Sequence, residues 1–230
     1  MDQNNTISMK FCREESRICP DCNRIRVSYG WCKFCETEYM RLAFTNWKKC
    51  IGRGGFSSVY KGYWMDGPRW VWDEKEDSWI RSGPTKVALK RLDNSQNFSM
   101  TFLKQLEVYH NCLQNGSMAD CFGITRDETG CFMFVMRYYE NGNLYEYIDN
   151  NKGIISWRDI ADILWGIASG LEKNHLEGLC HTNLHGGNLL IEDEAVSTDA
   201  KISDIGLHGP ADKSIPQDVI IGVLPFIDPQ

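Results

Sequence analysis

The chain has 230 residues, of which 42% are hydrophobic, and a formal net charge of −6. This length suits one medium-sized domain with a small appendage, and the apolar content is sufficient for a packed core, which excludes a disordered chain. The negative charge and the lack of a dense Lys/Arg run argue against nucleic acid or an anionic membrane as partners. Because there is neither a bilayer-length apolar run nor a signal peptide, we expect a cytoplasmic or nuclear location.

Four of the ten cysteines form two C-x-x-C pairs, within the stretch CPDCNRIRVSYGWCKFC. Two tight turns that each present two thiolates can build a tetrahedral Zn²⁺ site and order a segment too short to have its own core. A redox pair or a chance spacing is the alternative, but redox chemistry needs only one pair and usually a βαβ setting. The spacing predicts a flexible N-terminus over residues 1–18 and a structural zinc element over residues 19–35, with the ligands Cys19, Cys22, Cys32 and Cys35.

Strands come before helices in the remainder of the chain, after a short linker over residues 36–46. The predicted strand regions are residues 48–64 with a glycine-rich turn, a long hairpin excursion over 65–85, a strand over 86–92 and a hairpin over 121–139. The predicted helices, from apolar residues at helical spacing, are residues 99–115, 143–151 and 157–178. This order predicts an α+β protein with two lobes.

The glycine-rich turn could contact a phosphate. Gly52, Gly54 and Gly55 would let backbone N–H groups approach a phosphate closely, although such a turn taken alone is more often a simple hairpin. A lysine, Lys90, follows in the next core strand.

A second set of polar residues lies near the stretch CHTNLHGGNLLI. Asn188 lies five residues after Asn183, and an Asp-x-Gly sequence begins at Asp204. Phosphoryl transfer requires amides and a lysine on the phosphates, and Asn and Asp oxygens as ligands for Mg²⁺.

These motifs, in this order, resemble the eukaryotic protein kinase family over residues 47–230. The resemblance implies a bilobal protein-kinase fold, with the N-lobe over residues 47–136 and the hinge and a partial C-lobe over 137–230. The LHGGN variant and the four-cysteine element resemble an expanded fungal group related to tyrosine-kinase-like enzymes. The implied cofactors are ATP and Mg²⁺, beside the structural Zn²⁺. The implied partner is a protein substrate, or a partner kinase or regulator.

The resemblance also implies roles for individual residues. Lys90 would hold the α- and β-phosphates, and Asn188 and Asp204 would bind Mg²⁺. The residues implied to contact the adenine are Val59, Ala88 and Leu190 on its faces, Met136 as the gatekeeper, and Arg137, Tyr138 and Tyr139 in the hinge. The activation segment would run from residue 204 to residue 230.

Several positions depart from the family pattern. Asn183 stands where the catalytic aspartate is expected, and a neutral amide can hydrogen-bond a substrate hydroxyl but is a very poor base. Gln105 stands where a helix glutamate would pair with the strand lysine, so its hold on Lys90 is weaker. Gln230 replaces the glutamate that ends the activation segment. His181 is expected to bond backbone carbonyls, and His185 to face solvent.

Three functional interpretations remain open. The chain is a protein kinase with impaired catalysis, a pseudokinase used as a scaffold or regulatory module, or, less favoured, a small-molecule phosphotransferase. Residues 47–230 are fewer than the roughly 250 that the resemblance implies. We therefore expect the helix over 157–178 to have a partly uncovered apolar face, in a fragment of a longer product, in a protein that needs a partner there, or in a poorly stable protein.

Overall fold

The computed structural model describes residues 18–19, 22–24, 49–97, 99–100, 118–176, 178, 180–193 and 198–204. The predictions outside these residues are the linker, the helix over 99–115 with Gln105, the ligands Cys32 and Cys35, and the activation segment after Asp204. The described residues belong to two compact units. One holds residues 18–19, 22–24 and 64–85, and the other holds 49–63 and the described residues from 86 to 204.

Nine strands and two α-helices lie in the described parts of the chain. The strands are β1 (Lys49–Arg53), β2 (Ser57–Trp64), β3 (Arg69–Asp73), β4 (Ser78–Arg81), β5 (Thr85–Leu92), β6 (Cys121–Arg126), β7 (Phe132–Arg137), β8 (Leu189–Asp193) and β9 (Thr198–Ile202). The helices are α1 (Leu144–Asn150) and α2 (Trp157–Leu176), and a 3-10 turn spans Gly186–Asn188. These bounds confirm the predicted strands and two of the three predicted helices.

The hairpin of β3 and β4 confirms the excursion predicted between the second and third core strands. The two strands pair antiparallel, with Trp72 opposite Trp79. Their rings lie 5.4 Å apart in an edge-to-face arrangement, which stabilises a two-stranded hairpin.

A five-stranded sheet in the order β1-β2-β5-β7-β6 corresponds to the predicted sheet-rich lobe. In β5, Val87 and Leu89 are fully buried on one face. Because side chains alternate along a strand, Ala88 and Lys90 share the opposite face. This alternation places Lys90 on the same side of the sheet as Ala88, which is opposite Met136 in the register of β5 and β7.

The helices pack against the two-stranded sheet of β8 and β9. Helix α2 contacts β9, and Ile163 of α2 is buried in one cluster with Tyr147, Ile191 and Ala200. The next residue, Leu164, is 60% exposed, and the large apolar side chains Trp157, Trp165 and Leu176 of the same helix are also exposed. The expectation of a partly uncovered apolar face on this helix is therefore confirmed. No helix in the described part of the chain is long and apolar enough to span a membrane.

A capping box fixes the start of α1 next to β8. The side chain of Asn143 accepts hydrogen bonds from the backbone N–H groups of Tyr145 and Glu146, and Glu146 accepts one from the backbone N–H of Asn143. Gly142 has a φ of +68°, and a Cβ there would lie 1.9 Å from the carboxylate of Glu146. The carbonyl of Gly142 also accepts a hydrogen bond of 3.0 Å from the backbone N–H of Ile191. The positive φ favours glycine at this position between β7 and α1.

Candidate functional site

Lys90 of β5 and Asp204, which lies just after β9, form an ion pair. Both groups are well buried, with side-chain exposures of 10% and 20%. A lysine so withdrawn from water requires an opposite charge, because an uncompensated buried charge is strongly destabilising. Asp204 adopts a left-handed backbone conformation, with a φ of +65°, which is uncommon outside glycine. The structure therefore brings together two of the predicted site residues.

Hydrogen bonds to Asn188 join the loop before β8 to the segment after β9. The backbone carbonyl of Asn188 accepts bonds from the backbone N–H and the hydroxyl of Ser203, at 2.8 and 3.1 Å. The side-chain Nδ2 of Asn188 donates to the carbonyl of Asn183 at 2.9 Å. Because Ser203 directly precedes Asp204, these bonds place Asn183, Asn188 and Asp204 around one site. The use of Nδ2 leaves Oδ1 as the oxygen of Asn188 that could bind a cation.

His181 supports this network, as the sequence predicted. Its Nε2 donates to the carbonyl of Ser203 at 2.9 Å, and its Nδ1 accepts from the backbone N–H of Asn183 at 3.2 Å. Burial lowers the pKa of His181, so that the neutral ring is favoured in the folded protein. The neighbouring Thr182 has a φ of +62°, which is a strained conformation for a β-branched residue.

His185 is half-buried, and it is thus less exposed than the sequence predicted. Its ring stacks on Tyr145 with an interplanar angle of 13°, and its Nδ1 accepts a bond of 3.0 Å from the backbone N–H of Gly187. A Cβ at Gly186 would lie 2.6 Å from the Tyr145 ring, so the close approach requires glycine. Burial lowers the pKa of His185. Tyr145 could not be predicted as a neighbour of His185, because only the tertiary structure brings α1 against the loop that contains His185.

The residues expected around an adenine ring meet in one apolar cluster. Met136 and Tyr139 are buried members of this cluster, and Ala88 and Leu190 pack against it. Val59 is half-buried and lies opposite Gly52 in the register of β1 and β2. Met136, Tyr139, Ala88 and Leu190 therefore share one apolar region, as the sequence predicted.

The glycine-rich turn between β1 and β2 has open space around it. A Cβ at Gly52 or Gly55 would meet nothing within 4 Å. The N–H of Gly54 already donates to the carbonyl of Ser57 at 2.8 Å, within the turn. None of the three glycines has a positive φ. What they contribute is the absence of side chains above the turn, not unusual backbone angles.

The hinge residue Arg137 is held by charges on both sides. Its guanidinium pairs with Asp120, before β6, and with Glu192, in β8. It also lies 5.5 Å from the centre of the Tyr139 ring. Burial raises the pKa of the Tyr139 hydroxyl, which accepts a hydrogen bond from the backbone N–H of Asp120. The pairing of Glu192 with Arg137 could not be predicted from the sequence, because Arg137 lies in β7, which is distant from β8 along the chain.

The metal predictions are only partly accessible to the structure. Cys19 is buried and Cys22 is half-buried, but the other two predicted zinc ligands lie outside the described residues. No group of three or more His, Cys, Asp or Glu residues that could hold a metal ion occurs in the part of the chain that the structure describes. The oxygen-bearing side chains of Asn188 and Asp204 are of the kind that Mg²⁺ prefers.

Comparison with known proteins relates this fold and site to a family. Residues 45–217 match the family model described as protein tyrosine and serine/threonine kinase. The chain is 25% identical over 211 residues to the leaf rust 10 disease-resistance locus receptor-like protein kinase-like 1.4 of Arabidopsis thaliana, covering 89% of this chain and 29% of the relative. It is 30% identical over 195 residues to the U-box domain-containing protein 34 of Arabidopsis thaliana, covering 80% and 21%.

A third relative is the serine/threonine-protein kinase 4 homolog B of Dictyostelium discoideum, which is 23% identical over 183 residues, covering 79% of this chain and 15% of the relative. The chain thus spans less than a third of the length of each of these relatives. The family match covers most of the chain and includes Lys90, Asn188 and Asp204. The chain belongs to the protein tyrosine and serine/threonine kinase family, whose membership implies ATP and Mg²⁺ as cofactors.

The depressed pKa of His181 predicts a pH dependence of stability. The folded state favours the neutral ring, whereas the unfolded chain binds a proton below about pH 6.5, so the free energy of unfolding should fall as the pH falls from 7.5 to 5. His181→Gln should remove this part of the slope, which is at most about 1.4 kcal/mol per pH unit. Urea unfolding at several pH values measures it. The matched control is His175→Gln, at an exposed position near the end of α2 that leaves the hydrogen bonds of His181 in place. Equal slopes for His181→Gln and the parent chain would contradict the prediction.

Proposed function

We propose that this chain is a protein-kinase-family domain that binds Mg-ATP and transfers the γ-phosphoryl group to proteins slowly or not at all. The observation that carries the proposal is the contact between Lys90 and Asp204 beside a loop whose base position is Asn183. The first part of this observation supports nucleotide binding, and the second part argues against efficient phosphoryl transfer.

The placement of the apolar residues, Lys90 and the glycine-rich turn supports nucleotide binding. Ala88 and Leu190, which are partly buried and pack against the apolar cluster of Met136 and Tyr139, would offer a surface for an adenine ring near the end of β7. Lys90 lies on the same face of β5 as Ala88. Its ammonium group is therefore placed two strand residues beyond the apolar side chain of Ala88. The open space around Gly52 and Gly55 leaves room for phosphates beside the turn.

The donor atoms of Asn188 and Asp204 fit a magnesium ion. Oδ1 of Asn188 and the carboxylate of Asp204 would hold it, and Mg²⁺ would neutralise charge on the phosphates when bound. Within the chain itself, Lys90 would contact the α- and β-phosphates. The bond from Asn188 Nδ2 to the carbonyl of Asn183 would keep Oδ1 oriented towards the cation.

The side chain of Asn183 supports weak catalysis. Its backbone is fixed on both sides, by its N–H to Nδ1 of His181 and by its carbonyl to Nδ2 of Asn188. The position is therefore held as a catalytic loop holds it, but the side chain is an amide that cannot accept the proton of a substrate hydroxyl at neutral pH. The hydroxyl proton would have to leave to solvent or to the phosphate itself.

A pseudokinase that serves as a scaffold is the second candidate. It is favoured by the loss of a carboxylate at two positions, Asn183 and Gln105, each of which weakens a different part of the machinery. We further propose that the chain belongs to the expanded fungal group related to tyrosine-kinase-like enzymes, on the strength of its LHGGN sequence and its paired C-x-x-C motifs.

Thermal melting tests the nucleotide site. Mg-ATP at about 100 times its Kd should add about 2.7 kcal/mol to the stability and raise the midpoint by a few degrees. Lys90→Ala should abolish the shift, because it removes the phosphate contact, whereas Lys173→Ala in the exposed part of α2 should retain it. A cooperative melt with no shift in the parent chain would support the scaffold and contradict nucleotide binding.

Restoring the missing base tests the role of Asn183. Asn183→Asp should raise the rate of phosphoryl transfer to a generic protein substrate by about 10²–10⁴-fold, because it supplies the proton acceptor. Radiolabelled ATP with purified protein measures the rate, and Asn150→Asp, at an exposed site in α1, is the matched control. Fast, magnesium-dependent transfer by the parent chain would show that Asn183 is not a limiting substitution.

We also propose that Cys19, Cys22, Cys32 and Cys35 bind one structural zinc ion, in a chain that resides in the reducing environment of the cytoplasm or nucleus. The paired spacing supports this proposal, and so does the burial of Cys19. Mass spectrometry should find about one zinc per chain, and Cys32→Ser should lose it. Cys180→Ser, at an exposed cysteine outside the motif, should retain the metal. A parent chain purified without chelators and free of zinc would disprove the site.

A further inference from the structure

Helix α2 carries an apolar stripe on its exposed side. Trp157, Ala161, Leu164 and Ala168 follow one another at intervals of four, three and four residues, so they lie along one face of the helix. All four are exposed, whereas the buried positions of α2, such as Ile163, lie on the opposite side. The helix therefore has one face that belongs to the core and another that is apolar but faces solvent.

The exposed side of α2 has enough apolar area for a protein interface. Trp157 and Trp165 are 86% and 72% exposed, and Leu164 and Leu176 are 60% and 80% exposed. These four residues present roughly 600 Å² of surface, which is at the upper end of what a monomeric protein leaves uncovered in one patch. Each partner in a stable complex contributes about 800 Å², so the stripe and its rim supply an area of that size.

A groove of about 430 Å³ lies at the second half of α2. Its lining residues are Ala168, Leu171, Glu172, His175 and Leu176. The groove is large enough for an indole ring, and Trp157 is the most exposed of the large apolar side chains that the structure describes. Trp157 is about 20 Å or more away along the axis of the same helix, so it cannot fill the groove of its own chain. A protrusion and a groove on one element, apart from each other, suit a self-complementary interface.

An antiparallel pair of α2 helices, with a twofold axis near Gly166, matches these two features. Trp157 lies nine residues before Gly166, and His175 lies nine residues after it. Each Trp157 therefore meets the groove that the partner's His175 lines. The same axis sets Leu164 opposite the partner's Ala168, so a large side chain faces a small one along the stripe.

The charges at the rim of the stripe favour the antiparallel orientation. Arg158 and Glu172 are exposed on the same flank of the helix, eight residues before Gly166 and six residues after it. In an antiparallel pair, Arg158 approaches the partner's Glu172, and the symmetry forms this ion pair twice. A parallel pair would bring like charges together instead. Arg158 lies 3.8 Å from Asp162 of its own helix, but such an exposed pair is weak and leaves Arg158 able to contact a second carboxylate.

We propose that this chain forms a symmetric homodimer through the exposed face of α2, with the two helices antiparallel and Trp157 of each copy in the groove of the other. Trp165 lies next to the twofold axis, so its two copies meet near the centre of the interface. The occupant is a second copy of the chain, because the protrusion, the groove and both rim charges belong to one helix. This inference is independent of the nucleotide site.

Sedimentation equilibrium of the full chain tests the homodimer. The mass should rise from 26.5 kDa towards twice this value between about 1 and 100 µM. Trp165→Glu brings like charges to the centre and should raise the dissociation constant of the dimer at least about 30-fold, while a cooperative melt shows that the variant is folded. A parent chain that stays monomeric at the highest concentration would overturn the proposal and leave the face to a different polypeptide. A dimer that Trp165→Glu does not weaken would also overturn it, because the interface would lie elsewhere.

A charge exchange tests the antiparallel arrangement. Arg158→Glu should weaken the dimer about fivefold at low ionic strength, because it sets two like-charged pairs across the interface. Arg158→Glu/Glu172→Arg should recover the affinity of the parent chain. Lys75→Glu, at an exposed position in the turn between β3 and β4, changes the net charge equally and should leave the dissociation constant unchanged. A double variant that dimerises as weakly as Arg158→Glu would overturn the antiparallel pairing.

Discussion

The buried ion pair between Lys90 and Asp204 is the interaction on which the site depends. It joins β5, a central strand of the five-stranded sheet, to the segment after β9 that contains Asp204. Burial makes the pair obligatory, because either charge alone would be costly in this environment. Among the described residues, the carboxylate that compensates Lys90 is Asp204.

The hydrogen bonds around Asn188 hold the loop before β8 and the segment after β9 in one framework. Ser203, His181 and the backbone of Asn183 are all held by well-formed bonds, at 2.8–3.2 Å. Such a framework costs strain, as the left-handed backbones of Thr182 and Asp204 show. The presence of this framework around Asn183 is consistent with the ligand site that we propose.

The sequence predicted elements and residue types well, and contacts less well. The strands around the glycine turn, the hairpin with Trp72 and Trp79, and helix α2 follow from local patterns of alternation, turn residues and helical spacing. The stack of His185 on Tyr145 and the pairing of Arg137 with Glu192 did not follow, because each joins residues that are distant in sequence. Neither pair has a periodic or spaced pattern that a single sequence could reveal.

The sequence by itself determined the order of chemical groups, and therefore the family: a glycine turn, a strand lysine, an Asn and an Asp at fixed spacing. It also determined that residues 105 and 183 are neutral amides, because residue identity alone decides charge. The tertiary structure decided which groups neutralise one another, since Lys90 meets Asp204 only when β5 and the end of β9 pack together. Pairing depends on distance and burial, and these quantities exist only in the folded chain.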